Sequence, residues 1–194
     1  MARPRSVDKH NAILEAALVE FGRRGVWATP TSAISRTAGV AEGTLFTYFA
    51  SKALLTDALY RALKTELAGV MLAEWPEAAD PRTQFRHIWD RYVRWGVAHP
   101  GKLRVLAQLK VSDELSDESR AAGMAPFARL EAVAQECMRR GLVVERPMEF
   151  LGAMLTAMAE TTVGYIAQAG DAAPAFDYAE AGFEIFWQGI AVPP

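Results

Sequence analysis

TPTSAISRTAGVAEGTLFTYFASK, residues 29 to 52, reads as two short helices, a tight turn between them, and the start of a third helix. Thr29 offers a hydroxyl N-cap and Pro30 follows at the first helical position, where its missing N–H costs nothing. Ile34 and Ala38 then share one face of a helix of about two turns. Gly39 suits the left-handed position that ends it, and Val40 plugs the turn from the apolar side. The second helix runs from Glu42 to about Tyr48, with Leu45 and Phe49 four apart to seat it. Ile34, Ala38, Val40, Leu45 and Phe49 are therefore assigned to core. The other face carries Glu42, Gly43, Thr44, Phe46, Thr47 and Tyr48, small, hydroxylated or aromatic groups that let a backbone approach a phosphate. This is the layout of a helix-turn-helix DNA reader.

Working outward, Ser6 is placed to cap a helix reaching Arg24, whose stripe is Ile13, Leu14, Ala17, Leu18 and Phe21, and Gly25 stops it. After the reader, Ser51 caps a long helix that ends before Pro76 and spans about 30 Å, long enough to act as a lever between head and body. Further helices are predicted from Pro81 to His99, Lys102 to Lys110, Ser116 to Arg140, Pro147 to Ala169 and Pro174 to Ile190. The short loop from Gly170 to Pro174 makes the last two an antiparallel hairpin. The fold class is all-α with about nine helices, and no segment alternates with the period of a strand. Two domains are expected: residues 1–52 as the DNA-binding head and 53–194 as a sensing and dimerisation body.

The formal net charge of −2 conceals an asymmetry, because residues 1–52 carry seven basic and four acidic side chains, a net of +3, and the remainder a net of −5. A basic head on an acidic body suits a module that holds phosphate while its body stays off the DNA. Arg3 and Arg5 are candidates for an arm reaching the minor groove. The lone Cys137 excludes an internal disulfide, and three scattered histidines, His10, His87 and His99, argue against a structural zinc site. No metal or cofactor is expected. There is no apolar run of about 18 residues and no export signal at the amino terminus, so no membrane partner and a cytoplasmic location are expected.

GVAEGTLFTYFASK, with the upstream TPTSAI and the amphipathic helix before it, resembles the head of the TetR family of bacterial transcriptional regulators over roughly residues 8 to 60. The resemblance implies that Thr31 and Ser32 meet phosphates or a base edge and that Glu42, Gly43, Thr44, Phe46 and Thr47 enter the major groove. It implies phosphate clamps at Tyr48 and Lys52. Four positions depart from the family pattern. Ala41 stands where a capping Ser is common, Phe46 where Tyr is usual, Ser35 where Ala packs, and Ala53 where an acidic residue begins the long helix. The operator therefore cannot be copied from relatives.

A single short reader touches too few base pairs, so the body must pair two heads. The last two helices carry more large apolar residues than one core-facing stripe requires, with Met158, Phe183 and Trp187 expected at a homodimer interface. The resemblance also implies a pocket for a small, mostly apolar or aromatic effector. Its expected lining is Trp89, Tyr92, Met124, Phe127, Met154, Met158, Thr161 and Tyr165, aromatic and Met side chains with a few hydroxyls. The function implied is a dimeric repressor of palindromic operator DNA released by that effector. Repression outranks activation because the length leaves no separate module for recruiting polymerase. The alternatives are a helical interaction or dimerisation module without ligand control, and an enzyme. For an enzyme, His87 with Asp90, or Glu160 with Thr161 and Thr162, show no nucleophile or metal-ligand pattern.

Overall fold

The apolar stripe of the first helix, α1 (Val7–Arg24), is turned inward: Ile13, Ala16, Ala17 and Phe21 are buried. The computed structural model describes residues 6–169 and 177–193. Arg3, Arg5 and the loop expected between Gly170 and Pro174 lie outside the described residues. Gly25 ends α1 with a φ of 84°, a conformation L side chains rarely adopt, and its N–H donates to the Phe21 carbonyl. The reader follows as α2 (Thr31–Thr37) and α3 (Glu42–Tyr48), with Gly39 at φ 66° in the turn between them. The long helix α4 (Lys52–Leu72) is capped by Ser51, whose hydroxyl accepts the Leu54 N–H at 3.2 Å.

Asp80 caps α5 (Pro81–Ala98) by accepting from the Thr83 N–H, and Pro81 stands at the first helical position. Next come α6 (Pro100–Lys110) and α7 (Asp117–Met124), the latter capped by Ser116. A 3-10 turn, Ala125–Phe127, separates α7 from α8 (Ala128–Arg139), so the single helix predicted over 116–140 is two helices. Pro126 is the reason, since it lacks an N–H and its ring clashes with the carbonyl four residues earlier. Counted as one element, α7 and α8 give the nine helices expected among the described residues. The last pair are α9 (Met148–Ala169) and α10 (Tyr178–Ile190), with Asp177 accepting from the N–H groups of Ala179 and Glu180. Among the described residues the only extended pairing is one isolated bridge, Val143 with Ala191.

One cap differs from the reading of the sequence. Pro30, not Thr29, occupies the N-cap of α2, and Thr29 is buried with its hydroxyl donating to the carbonyls of Gly25 at 2.7 Å and Glu20 at 3.2 Å. A hydroxyl with two carbonyls within reach ties down the turn instead of the helix start.

The chain divides into two compact units, Met1–Thr65 with Pro100–Ala125 and Glu66–His99 with Pro126–Pro194, so that the division falls inside α4. In the first, α1 packs on α2 and α6, and the Val26 N–H donates to Gln108 Oε1 at 3.0 Å. Asp57 on α4 accepts from the Ser116 amide at 3.0 Å and hydroxyl at 2.8 Å, which ties α7 to the head. The compact body around the reader is thus larger than residues 1–52. In the second unit, α5, α9 and α10 pack on one another and α8 packs on α9. Trp89 is fully buried there, its ring stacked on Phe186 with centroids 6.1 Å apart and its indole N–H donating to the Ala179 carbonyl at 2.9 Å.

Candidate nucleic-acid interface

Leu45 is fully buried and Phe49 nearly so, which seats α3 and turns the rest of it outward. Glu42, Gly43, Phe46 and Thr47 are exposed, Thr44 is half-buried, and Phe46 keeps 42% of its surface open. On α2, Ser32 is exposed and Thr31 half-buried. The structure joins two of these sequence-predicted residues directly, because the Thr31 hydroxyl donates to Glu42 Oε1 at 2.8 Å. Thr47 returns its hydroxyl hydrogen to the Gly43 carbonyl at 2.9 Å, so it offers outward a methyl and lone pairs. As expected, Ala41 gives α3 no side-chain cap.

Two predicted phosphate clamps stand at the end of α3 and the start of α4. Lys52, at the start of α4, donates from Nζ to the Trp27 carbonyl at 3.2 Å, which fixes its direction while leaving two ammonium hydrogens. Tyr48 accepts the Ser6 N–H at 2.8 Å on its hydroxyl, so the end of α3 is tied to the start of α1 and the phenol keeps its own hydrogen to donate. Ser6 stands at the N-cap of α1 but makes no side-chain cap bond. The residue missed here is Trp27, 53% exposed in the turn beside Lys52. Its signal was an aromatic residue in a loop too short to bury it.

Glu20 was also missed. It falls on the inward stripe of α1, one turn beyond Ala16 and Ala17, and is buried. Its Oε1 accepts from the Thr37 hydroxyl at 2.8 Å and its Oε2 from Arg24 Nε at 3.0 Å, with Arg23 at 3.8 Å. The Thr37 hydrogen bond, helped by Arg24 and Arg23, holds this carboxyl below the usual carboxylate range against the opposing pull of burial. The carboxylate pins the end of α2 to α1, and α2 is the helix on which α3 rests.

The residues expected to line a pocket differ in burial. Trp89, Tyr92 and Phe127 are buried in the second unit, Met158 is half-buried, and Met154, Thr161 and Tyr165 are exposed on α9. Met124 is exposed on α7, in the other unit. Tyr92 donates its hydroxyl to Glu160 at 3.1 Å, and burial, with the Glu160 charge, pushes that phenol well above its ordinary range. The second unit does carry an open groove of about 440 Å³ between Asp80, Arg82, Leu142, Trp187 and Val192.

Phe183 requires a correction. It is 1% exposed, with Trp187 stacked on it and the Arg86 guanidinium 4.5 Å from its ring centre, and is therefore core instead of interface. Helix α10 carries large apolar residues beside a polar stripe of Glu180, Glu184 and Gln188, and it turns Phe183, Phe186 and Ile190 onto its own unit while Ile185 stays 65% exposed. Trp187 and Met158 are half-buried. On α9 the exposed residues Phe150, Met154, Thr161 and Tyr165 recur at intervals of four and seven, one outward face. By length and composition alone α9 is apolar enough to cross a membrane, although it packs on α5 and α10.

The family model of bacterial regulatory proteins, tetR family, matches residues 13–59, from the inward stripe of α1 past Lys52. Along its length the chain superposes on a Shewanella sp. PV-4 protein assigned to TetR-family transcription regulators, with a TM-score of 0.83, 27% identity, and coverage of 97% of this chain and 100% of that one. The head of the chain is that of the TetR family. It is 32% identical over 139 residues to the HTH-type transcriptional regulator BetI of Rhizobium meliloti (strain 1021), an alignment covering 70% of this chain and 58% of that relative. The chain thus spans somewhat more than half the length of the curated relative it matches. A TetR family transcription regulator from Marinobacter aquaeolei VT8 shares the fold at a TM-score of 0.85 and 22% identity, over 96% of this chain and 97% of that one.

Proposed function

We propose that the protein is a homodimeric transcriptional repressor that binds a palindromic operator through α3 and leaves it when a small, mostly apolar effector occupies the body. The observation that carries the reading is the outward face of α3, which presents Glu42, Phe46 and Thr47, with the donors of Tyr48 at the end of that helix and Lys52 at the start of α4. A short exposed helix with donors at its end is what a major groove bordered by phosphates receives. Thr31 and Ser32 at the start of α2 add hydroxyls on the backbone side. The cytoplasm is the compartment where such a protein meets DNA.

Pairing rests on the exposed apolar face of α9 together with Ile185 of α10, surface that a lone chain would leave in water. Two heads then address half-sites with centres about 34 to 36 Å apart, or more. Effector control rests on kinship with the family and on the aromatic content of the second unit. Helix α4 is one continuous element shared by both units, the covalent route by which an event in the body reaches the reader. An effector releases DNA only if it binds the released state better, and a tenfold loss of operator affinity corresponds to about 1.4 kcal/mol of coupling.

The test is a gel shift of the DNA flanking the protein's own gene at low and moderate salt, followed by thermal-shift screening for small molecules. Retarded duplex that survives excess unrelated DNA supports the DNA-binding reading, and its absence on every fragment refutes it. A true effector must bind more weakly to the operator complex than to free protein by the same factor that it weakens DNA binding. Equal ligand affinities in the two titrations remove that molecule as the effector. If every bound molecule behaves so, the ligand-control part of the proposal falls and a dimerising DNA binder remains.

A further inference from the structure

We infer that α3 reads its half-site as an acceptor followed by an apolar surface, with Glu42 taking the exocyclic amino group of a cytosine and Phe46 the C5-methyl of a neighbouring thymine. The inference rests on the proposed DNA-binding role and specifies what that face recognises. Helix α3, sequence EGTLFTY, contains no Arg, Lys, Asn or Gln. The side chains that most often read guanine and adenine in the major groove are therefore missing from it. Its hydrogen-bonding side chains are Glu42, Thr44, Thr47 and Tyr48. Thr47 has its hydroxyl hydrogen on the Gly43 carbonyl, and the Tyr48 oxygen is held by the Ser6 amide. Glu42 is the long, charged one, exposed at the end of α3 nearest α2.

An ionised carboxylate only accepts hydrogen bonds. Guanine presents two acceptors in the major groove, thymine an acceptor and a methyl, and adenine an acceptor beside its amino group. Cytosine alone presents a donor with no acceptor beside it. Against guanine or thymine a carboxylate meets acceptors and no donor, and at adenine the N7 acceptor lies beside the amino group, so Glu42 discriminates by repulsion as well as by attraction. The bond from Thr31 to Glu42 Oε1 at 2.8 Å directs the carboxylate and leaves Oε2 to face the groove. Thr31 is thus a positioning residue that acts through Glu42. Phe46 lies four residues on, on the same side of the helix, 42% exposed and without a polar group. What an aromatic ring at that depth recognises is a methyl, which only thymine offers.

The experiment is selection of the full-length chain on a randomised duplex library, followed by titration of the enriched site and its single-base variants. The expected half-site contains a cytosine whose replacement weakens binding about tenfold. Glu42→Ala should flatten preference at that position alone, and Glu42→Gln should move it toward adenine, whose amino group and N7 match a carboxamide. Replacing the neighbouring thymine by uracil, which deletes only the methyl, should weaken the wild type and leave Phe46→Ala unaffected. Thr31→Val should reduce discrimination at the cytosine without changing the response to uracil, an effect that general damage to the head would not produce. All of these side chains except Thr31 are exposed, so retained binding to the enriched pool reports intact folding. An unaltered base preference in both Glu42 variants overturns the inference while the DNA-binding role stands. Failure of the wild type to enrich any sequence overturns that role as well.

Discussion

Gly182 faces Thr162 of α9 and Trp89 of α5, and adding one methyl there tests the packing of the second unit. A Cβ at this position would lie 2.5 Å from Thr162 Oγ1 and 2.7 Å from Trp89 Cζ2. Carbon atoms in ordinary contact sit about 3.5–4.0 Å apart, so the intrusion is close to an ångström. Neither neighbour has somewhere to go. Trp89 is fully buried, stacked on Phe186 and bonded to the Ala179 carbonyl, and the Thr162 hydroxyl already donates to the Met158 carbonyl at 2.9 Å. Overpacking of this kind costs about 1–3 kcal/mol. Opposing it, Gly→Ala in a helix interior gains about 1 kcal/mol. Gly152→Ala on α9, an exposed site where the same Cβ meets nothing within 4 Å, carries the gain without the clash. The difference between the two variants therefore isolates packing. At roughly 2–4 °C per kcal/mol, Gly182→Ala should melt about 2–12 °C below Gly152→Ala at equal protein concentration. A Gly182→Ala protein that melts level with or above Gly152→Ala would refute the close approach.

Lys52→Ala should weaken binding to every duplex alike and reduce the slope of log affinity against log salt by about 0.9 per head; an unchanged slope in a salt titration removes Lys52 from the phosphate contacts. Ile185→Asp should yield monomer in sedimentation with the fold retained, whereas Phe183→Asp should lose helical content, because the first side chain faces water and the second is core. Glu20 has a lowered pKa in the folded chain, so its contribution is complete above the ordinary carboxylate range near pH 4 and is lost as pH falls through the folded value. Acid unfolding of Thr37→Val, which loses the largest stabiliser of that carboxylate, should therefore begin at a higher pH than in the wild type, and coincident acid transitions would contradict the assignment.

Helix limits were legible where a residue's own chemistry forces them. Gly25 and Gly39 adopt positive φ at the places where the sequence demanded a stop, and Pro81 and Ser51 begin helices as expected. The Pro126 break was present in the sequence but hidden by a stripe that continues in phase through Phe127, Leu130 and Ala134 on its far side. Partnerships were less legible. Thr29 has the chemistry of a cap and serves as a buried tie, because whether a hydroxyl meets an N–H or a carbonyl depends on where the preceding helix ends. For α10, the sequence shows more large apolar residues than one stripe requires but not which of them goes inward; burial takes Phe183 and leaves Ile185 outside. The reader's outward residues follow from Leu45 and Phe49 being seated inward. The bond between Thr31 and Glu42 does not, since it joins residues eleven apart across the turn.

The central claim is that α3 makes the chain a sequence-specific reader of duplex DNA. It is tested most directly by anisotropy titration, at about 0.15 M salt, of one labelled duplex enriched by selection and one of the same composition in scrambled order. The account predicts that the enriched duplex binds at least about 10³-fold more tightly. Equal affinity for the two duplexes would contradict it.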